Sequence, residues 1–269
     1  MRATVIRIGL ALLAIWTLTP LLWLALLSLT EPIALLHPTI PLLAGPFTLG
    51  NYAWLMDSAS AQAHAVRAGF ANSLIVAVAV STLSILLGAP AAFGVLRGGR
   101  RLRGSFLVGS LVSRAVPPIA LAVPFFWFFA QRDLLGARVG LTAAYLGLAA
   151  PLAVWMLVAA FAGVPAELIA AARVDGATRW QAFLRVALPL AAPGIGAAWI
   201  VAFVGCWNEF TLAQFLVAAS PAQTFPVAVA PMLGSMPNQL SAASLVGILP
   251  AAVLALLAQR RLRDFVRPL

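Results

Sequence analysis

Five charged residues stand close together in a chain that is otherwise strongly apolar. They are Glu167, Arg173, Asp175, Arg179 and Arg185, and they fall within nineteen residues. An uncharged run from Val139 to Ala166 precedes them and another from Val186 to Asn208 follows them. Uncharged flanks of this length are typical of membrane spans. We therefore expect a folded loop at a membrane surface, whose charges dock against a partner, and we call residues 164–192 the polar loop.

A second polar group lies inside an apolar run, at Trp207-Asn208-Glu209-Phe210. An ionisable group at that depth costs about 2.5–3.5 kcal/mol on insertion scales, so it should face a partner or a wet cavity. In one interpretation Asn208 and Glu209 line a translocation path and bind a polyol, with Trp207 or Phe210 stacking on its ring. In the other, Glu209 lies at the outer end of the span or forms a structural ion pair.

Arg114 and the pair Pro117-Pro118 also lie inside an apolar run. Arg114 either pairs with Glu209 or extends its long side chain toward the nearer polar face. Prolines free backbone carbonyls, which a membrane protein tolerates where the backbone is buried or lines a cavity. For Pro117 and Pro118, a kink that serves packing and a place on the pathway both remain open.

The common motifs of catalysis and nucleotide binding are missing from this sequence. There is no GxxxxGK(S/T) phosphate loop, no HExxH pair, no nucleophile elbow and no metal-ligand spacing. We expect no catalytic residue, no metal ligand and no cofactor in this chain. If ATP drives its function, a separate protein must bind and hydrolyse the ATP.

The composition predicts a polytopic membrane protein, because 63% of the residues are hydrophobic, 9% are charged and the mean hydropathy is +1.02. The net charge of +10 comes from basic residues that flank the apolar runs. Thirteen of the seventeen fall on one side of the predicted membrane, three on the other, and Arg114 lies within a run. This asymmetry indicates topology, with positive loops in the cytoplasm, rather than binding to nucleic acid.

We predict an all-α fold with six transmembrane helices in a single domain over residues 1–269, with both termini in the cytoplasm. A helix needs about 20 apolar residues to cross the hydrocarbon core. The predicted spans lie near residues 8–30, 70–96, 105–130, 140–163, 193–216 and 241–258.

The polar loop is predicted to form two short helices around a turn. Pro165 suits the first turn of the opening helix. Gly176 should end that helix, because glycine tolerates the left-handed conformation. Thr178 and Gln181 have the spacing of a capping box, which should start the second helix. Leu188-Pro189 is expected to stop it.

The spacing within the polar loop resembles the EAA loop of permease subunits in binding-protein-dependent ABC importers. The shared pattern is Ala171-Ala172, three residues, Gly176, nine residues, Val186, one residue and Leu188-Pro189. The surrounding residues are most similar to the carbohydrate branch, of the maltose-permease type. Other segments similar to that family are Phe47 to Tyr52, Phe70 to Leu74, Pro117-Pro118 with Pro124, and Trp207 to Phe210.

This resemblance implies the type I importer permease fold, in which the loop forms a coupling helix that sits in a cleft of a cytoplasmic ATPase. The residues it places in that role are Glu167, Ala171, Ala172, Asp175, Gly176, Ala177, Leu188 and Pro189. Two features depart from the family. The motif's glutamate is replaced by Ala170, so an ion pair to the ATPase is absent or supplied by Glu167. The family's Gly-rich tail is replaced by RRLRDFVRPL.

The resemblance further implies an importer of a sugar or related polyol, working by alternating access in a bacterial or archaeal cytoplasmic membrane. Its expected partners are a second permease subunit in a heterodimer, two ABC ATPase subunits that bind ATP and Mg²⁺, and an extracytoplasmic solute-binding protein. Two alternatives stay open. One is an importer of another solute, such as glycerol phosphate or a polyamine. The other is a membrane enzyme or docking protein without transport.

Overall fold

A computed structural model describes residues 2–31 and 47–266, and the burial of side chains in residues 4–31 and 47–259. Helices predominate there, as predicted, and extended pairing in the described residues is limited to one bridge between Thr30 and Phe47. The helices are α1 (Arg2–Leu29), α2 (Gly50–Met56), α3 (Ala61–Arg97), α4 (Arg100–Ala115), α5 (Pro118–Ala130), α6 (Arg138–Ala162), α7 (Ala166–Val174), α8 (Arg179–Ala182), α9 (Leu188–Leu190), α10 (Ala192–Trp207), α11 (Thr211–Val217), α12 (Phe225–Val229) and α13 (Pro237–Val266).

Four helices in the described residues, α1, α3, α6 and α13, are long and apolar enough to cross a membrane. Two bent pairs raise this number to six if each pair forms one span: α4 with α5, and residues 179–190 with α10. Large apolar side chains such as Trp16, Leu86 and Val112 are more than half exposed along these helices. An apolar surface of this extent suits lipid rather than water. The all-helical membrane fold is therefore confirmed.

The predicted span over 105–130 is not one helix. α4 ends at Ala115, α5 begins at Pro118, and their axes differ by 87°. The ring of a proline disfavours helical backbone in the residue before it. Val116 precedes Pro117 and is extended (φ −75°, ψ 117°), and Pro117 precedes Pro118 and is extended as well (φ −67°, ψ 140°). Two successive prolines thus break this span rather than kink it.

The predicted span over 193–216 is also interrupted, because α10 ends at Trp207 and α11 begins only at Thr211. The Glu209 carboxylate lies in the break and accepts hydrogen bonds from the backbone N–H groups of Leu212 (2.9 Å) and Ala213 (3.3 Å). These are N–H groups of the first turn of α11, which have no partner within the helix. A side-chain acceptor at this point favours starting a new helix over continuing the old one.

The chain divides into two compact units. The first comprises Met1–Ala68 and Ala228–Pro250, and the second comprises Gly69–Val227 and Ala251–Leu269. The helices α3 and α13 contribute to both. The assignment of a single permease domain to the whole chain stays a prediction.

In the first unit, two buried asparagines close the carboxyl end of α1. The amide of Asn51 donates to the carbonyls of Ser28 and Thr30, both at 2.9 Å. The amide of Asn238 donates to the carbonyls of Leu27 (3.1 Å) and Thr30 (2.7 Å). The last carbonyls of a helix lack intrahelical partners. These amides therefore satisfy the end of α1 without water.

In the second unit, α3 packs closely against α6 because a glycine faces the contact. A Cβ atom at Gly88 would come within 2.9 Å of Val154 Cγ2 and 3.0 Å of Leu157 Cδ1. Small residues at helix contacts allow the close approach on which membrane helices depend. Two buried apolar clusters fill this unit, one around Tyr145 and Phe203 and the other around the polar loop.

Candidate functional site

The first turn of the polar loop folds as its sequence predicts. α7 begins after Pro165 and ends at Val174, Asp175 is its C-cap, and Gly176 then takes the left-handed conformation with φ +85°. The N–H of Ala177 donates to the carbonyl of Ala172 (3.0 Å), and the N–H of Gly176 donates to that of Arg173 (3.3 Å). These two bonds form a Schellman motif. The spacing between Ala172 and Gly176 thus follows from the way in which α7 ends.

The predicted capping box is also confirmed. The N–H of Gln181 donates to Thr178 Oγ1 at 3.2 Å, and the N–H of Thr178 donates to Gln181 Oε1 at 2.7 Å. The guanidinium of Arg173 donates to the carbonyl of Ala177 at 2.6 Å and closes the turn between the two helices. These five hydrogen bonds hold the turn within a few residues, which makes it a compact, preformed surface.

The second helix ends at Leu190, one residue after the predicted stop at Leu188-Pro189. α8 continues into a π-helix over Phe183–Ala187 and then into α9 up to Leu190, before a turn at Ala191. The N–H of Leu188 donates to the carbonyl of Phe183, one residue farther back than in an α-helix. A proline inside a regular helix meets the carbonyl four residues earlier. The wider π-turn accommodates Pro189, so the helix continues.

One face of the polar loop is buried against α3 and α6. Phe183 is 3% exposed, and its ring centroid lies 5.1 Å from that of Phe93 in α3 and 5.9 Å from that of Phe161 in α6. Ile169 and Ala187 are buried in the same cluster. Aromatic rings at these separations attract one another beyond the burial of their area. The polar loop is therefore attached to two long helices through a packed interior.

The opposite face of the polar loop is exposed and partly apolar. Val174 is 87% exposed and Trp180 56%. Beside them lies a cavity of about 340 Å³ that includes four of the predicted coupling residues, Ala172, Asp175, Gly176 and Ala177, in its lining. Glu167 and Ala171 are exposed on α7, whereas Leu188 and Pro189 lie on α9. The structure thus brings part of the predicted set together at one groove.

A second cavity, of about 310 Å³, lies within the second unit, and we call it the Arg114–Glu209 cavity. It contains Pro118 and Glu209 from the predicted pathway set. Pro117, Trp207, Asn208 and Phe210 are not among its lining residues. The lining residues are Ser113, Arg114, Val116, Pro118, Tyr145, Leu148, Ala149, Leu152, Val201, Ala202, Gly205, Cys206 and Glu209.

Arg114 and Glu209 line this cavity without forming an ion pair with each other. The Glu209 carboxylate is held by the first turn of α11, and the Tyr145 hydroxyl donates to the Glu209 backbone carbonyl at 3.1 Å. The Arg114 guanidinium donates to the carbonyl of Leu148 at 3.4 Å, a long hydrogen bond. Arg114 therefore keeps most of its donors for another group, whereas Glu209 organises the backbone around it.

Trp207 is packed into the protein interior. It is 4% exposed, and its ring stacks on those of Phe203 (5.9 Å, 10°) and Phe225 (6.1 Å, 19°). Phe210 is 40% exposed. Of the two aromatic rings proposed to stack on a solute, Phe210 is the one with an accessible face.

A buried polar cluster around Asn72 was missed as a site by sequence reasoning. Its amide donates to the carbonyls of Pro221 (2.8 Å) and Gln223 (2.9 Å), and its carbonyl oxygen accepts from Arg138 Nε at 2.7 Å. Asn72 is 1% exposed. The similarity of the segment from Phe70 to Leu74 to a known family was the available signal, and it gave Asn72 no role.

Comparison with known proteins gives a family match over residues 84–266, more than half of the chain. The matching family is described as "Binding-protein-dependent transport system inner membrane component". A crystal structure of a bacterial ABC transporter involved in the import of the acidic polysaccharide alginate has a similar chain, with a TM-score of 0.78 and 20% identity. The match covers 96% of this chain and 95% of that one. The expected importer permease fold is thereby confirmed.

Three relatives align along almost the whole chain. The trehalose transport system permease protein SugB of Mycobacterium tuberculosis (strain CDC 1551 / Oshkosh) is 34% identical, over 92% of this chain and 89% of its own. The sulfoquinovosyl glycerol transport system permease protein SmoH of Agrobacterium fabrum is 32% identical, over 94% and 88%. The trehalose/maltose transport system permease protein MalG of Thermococcus litoralis is 30% identical, over 94% and 91%.

Proposed function

This chain belongs to the family of binding-protein-dependent transport system inner membrane components, and we propose that it carries a sugar or related polyol across the cytoplasmic membrane. It is a membrane-embedded transporter component. The observation that carries the sugar assignment is the set of relatives named above. Their transport systems handle trehalose, sulfoquinovosyl glycerol and maltose, and each relative is at least 30% identical to this chain.

We place both termini and the polar loop in the cytoplasm. Thirteen arginines on that side against three on the other support this orientation. The polar loop then faces the compartment in which ATP is available. Two copies of a separate ATPase would bind ATP and Mg²⁺ there, since this chain has no phosphate-binding loop.

We propose that this ATPase binds to the polar loop. Its exposed side offers apolar contact through Val174 and Trp180 and charge through Glu167 and Arg179. Its buried side is fixed to α3 and α6 through Phe183. Closure of the ATPase dimer would then move these helices together with the loop. Rigid-body movement of packed helices is an established way to switch access.

The Arg114–Glu209 cavity is our candidate for the solute path in this subunit. Its volume of about 310 Å³ lies at the lower end of the range for small-molecule sites. We propose that Arg114 donates hydrogen bonds to solute hydroxyls, that Glu209 holds the helix break open, and that Asn208 and Phe210 offer further exposed contacts. The path is completed by a second permease subunit in a heterodimer. A binding protein delivers the solute.

The other functions left open by the sequence are less well supported. An importer of glycerol phosphate or of a polyamine does not agree with the sugars handled by the named relatives. A docking protein or membrane enzyme does not agree with membership of a transport family.

Co-purification tests this proposal directly. The chain, tagged at its carboxyl end, is extracted gently from its native membrane and its companions are identified by mass spectrometry. We expect an ABC ATPase and a second permease in stoichiometric amounts, and uptake of labelled trehalose or maltose that stops when the gene is deleted. Recovery of this chain alone, in a detergent that keeps a known importer intact, would overturn the assembly. Intact assembly without uptake of any labelled sugar or polyol, in a panel that includes these two, would overturn the solute class.

A further inference from the structure

We propose that the turn between α3 and α4 binds the headgroup of an anionic phospholipid. We call residues 97–103 the arginine turn. Four of its seven residues are arginines, and all four side chains are exposed. They are Arg97, Arg100, Arg101 and Arg103.

The backbone of the arginine turn is well defined. The N–H of Gly98 donates to the carbonyl of Gly94 at 3.1 Å, and the N–H of Arg103 donates to that of Gly99 at 3.2 Å. Leu102 folds back over the turn, since a Cβ atom at Gly98 would lie 2.6 Å from its Cδ2. The arginines therefore extend from a tight corner and not from a long flexible loop.

Nothing nearby in the sequence compensates the charge. No aspartate or glutamate occurs between Asp57 and Asp133. Within the part of the chain whose side chains are described, no ion pair engages any of the four arginines. The guanidinium of Arg97 lies 4.4 Å from the ring centroid of Phe93, a contact that fixes it without neutralising it. The turn thus presents a concentrated positive charge that is free for an anion.

The surface below these charges has the pattern of a lipid chain site. No residue of α4 is fully buried, and the helix packs on α6. On its open side Val108, Leu111 and Val112 are 59%, 55% and 62% exposed. Arg101 lies seven residues before Val108, which puts both on the same face about 10 Å apart along the axis. A charged end above an apolar stripe matches a headgroup above its acyl chain.

The charge selects an anionic lipid over a neutral one. Arginine binds phosphate oxygens in a bidentate manner, which a compact ammonium cannot do. Each basic side chain near an anionic membrane surface contributes about 1 kcal/mol, or roughly fivefold in occupancy. A protein partner on the same face would need acids opposite the arginines together with an apolar surface opposite the valines. One phospholipid supplies both features at the observed spacing.

Lipid retention by the assembled importer tests the proposal. The complex is reconstituted in nanodiscs of equal parts phosphatidylglycerol and phosphatidylcholine, released into mild detergent, and weighed by native mass spectrometry. We expect phosphatidylglycerol to be retained in preference to phosphatidylcholine, and Arg101→Gln to lower its occupancy about fivefold. Arg132→Gln is the matched control. Arg132 is also exposed and its guanidinium lies 3.7 Å from the Phe128 ring centroid, but no other arginine neighbours it in the sequence.

Two outcomes would overturn the proposal: equal retention of both lipids by the wild type, or equal occupancy in Arg101→Gln and the wild type. Arg100→Gln provides the same test if Arg101→Gln does not assemble. A photo-reactive residue introduced at position Val108 tests separately which molecule covers α4. We expect a crosslink to lipid, and a crosslink to the second permease or the ATPase would also overturn the assignment.

Discussion

The rings of Phe183 and Phe93 lie 5.1 Å apart, centroid to centroid, where the polar loop meets α3. Phe161 of α6 completes the contact, 5.7 Å from Phe93 and 5.9 Å from Phe183. Packed protein interiors are as dense as organic crystals and transmit displacement rather than absorbing it. We therefore expect the loop, α3 and α6 to move together.

Replacement of Phe183 by alanine should uncouple the importer. Truncating a buried phenylalanine costs about 3–5 kcal/mol and leaves a cavity, because the surroundings close only partly. We expect the assembled complex to hydrolyse ATP while solute uptake falls, so that fewer solutes are carried per ATP. ATPase and uptake rates measured in the same proteoliposomes give this ratio.

Phe183→Leu is the conservative comparison, since it keeps most of the apolar volume at the contact and should keep most of the coupling. An unchanged ratio of solute to ATP in Phe183→Ala would mean that the triad does not transmit the movement.

Replacement of Gly176 by valine should disrupt the turn of the polar loop. Gly176 has φ +85° and no heavy atom within 4 Å of an added Cβ, so backbone strain is the whole effect. The left-handed conformation costs an ordinary L-residue roughly 1–2 kcal/mol, and a β-branched residue tolerates it worst. We expect normal membrane insertion with loss of solute-dependent ATPase activity.

Gly176→Asn is the matched control for that variant. Asparagine enters the left-handed region far more readily than valine, so this variant should retain coupling. Wild-type uptake by Gly176→Val, or equal loss in both variants, would contradict the role given to the turn.

The features that the sequence predicted correctly are local ones. The left-handed Gly176 and the capping box of Thr178 with Gln181 each depend on residues a few positions apart. The apolar stretches depend on the composition of about 20 consecutive residues, and they form four spanning helices, or six if each bent pair is one span. Hydropathy and capping chemistry act at that range whatever the rest of the chain does. The fold class and the inner turn of the polar loop were therefore readable without a structure.

Other features were not predicted from the sequence, because they depend on which groups each side chain contacts in the folded protein. Trp207 looked like a solute contact, but it is buried and its ring packs against those of Phe203 and Phe225. Glu209 looked like a charge in need of a partner, but the backbone N–H groups of α11 supply one. The π-helix over Phe183–Ala187, just before Pro189, was not predicted. Phe225 is distant from Trp207 in the chain, so no spacing rule reports that contact, whereas the partners of Glu209 are near in sequence and were overlooked.

Asn72→Ala should destabilise the second unit. The change removes both amide donors from the carbonyls of Pro221 and Gln223 and takes the acceptor from Arg138. A buried polar group left without a partner costs about 1–3 kcal/mol. We expect a lower thermal midpoint of unfolding for the purified complex in detergent.

Asn208→Ala is the matched control, since the Asn208 amide is exposed and donates only to the carbonyl of Val204 in its own helix. Its thermal midpoint should stay close to that of the wild type. If the two variants melt alike, the Asn72 cluster contributes nothing beyond an ordinary surface amide.

Arg114→Gln should weaken solute binding and leave stability nearly unchanged. The guanidinium is exposed in the isolated chain and makes only a long hydrogen bond to Leu148, so few protein contacts are lost. Glutamine keeps two amide donors but loses the charge and the forked geometry. We expect the KM of uptake to rise with the thermal midpoint unchanged. A constant KM would remove Arg114 from the solute path.

Glu209→Gln should lower stability without changing the KM, the reverse of the effects expected for Arg114→Gln. The carboxylate accepts from two backbone N–H groups through its two oxygens, and an amide offers only one acceptor oxygen, so one of the two loses its partner. The substitution also removes the negative charge, which is favourable at the amino end of a helix. We expect a loss of about 0.5–2 kcal/mol in stability, a lower maximal uptake rate and an unchanged KM. A raised KM with an unchanged thermal midpoint would instead make Glu209 a solute contact, and the capping role would then be wrong.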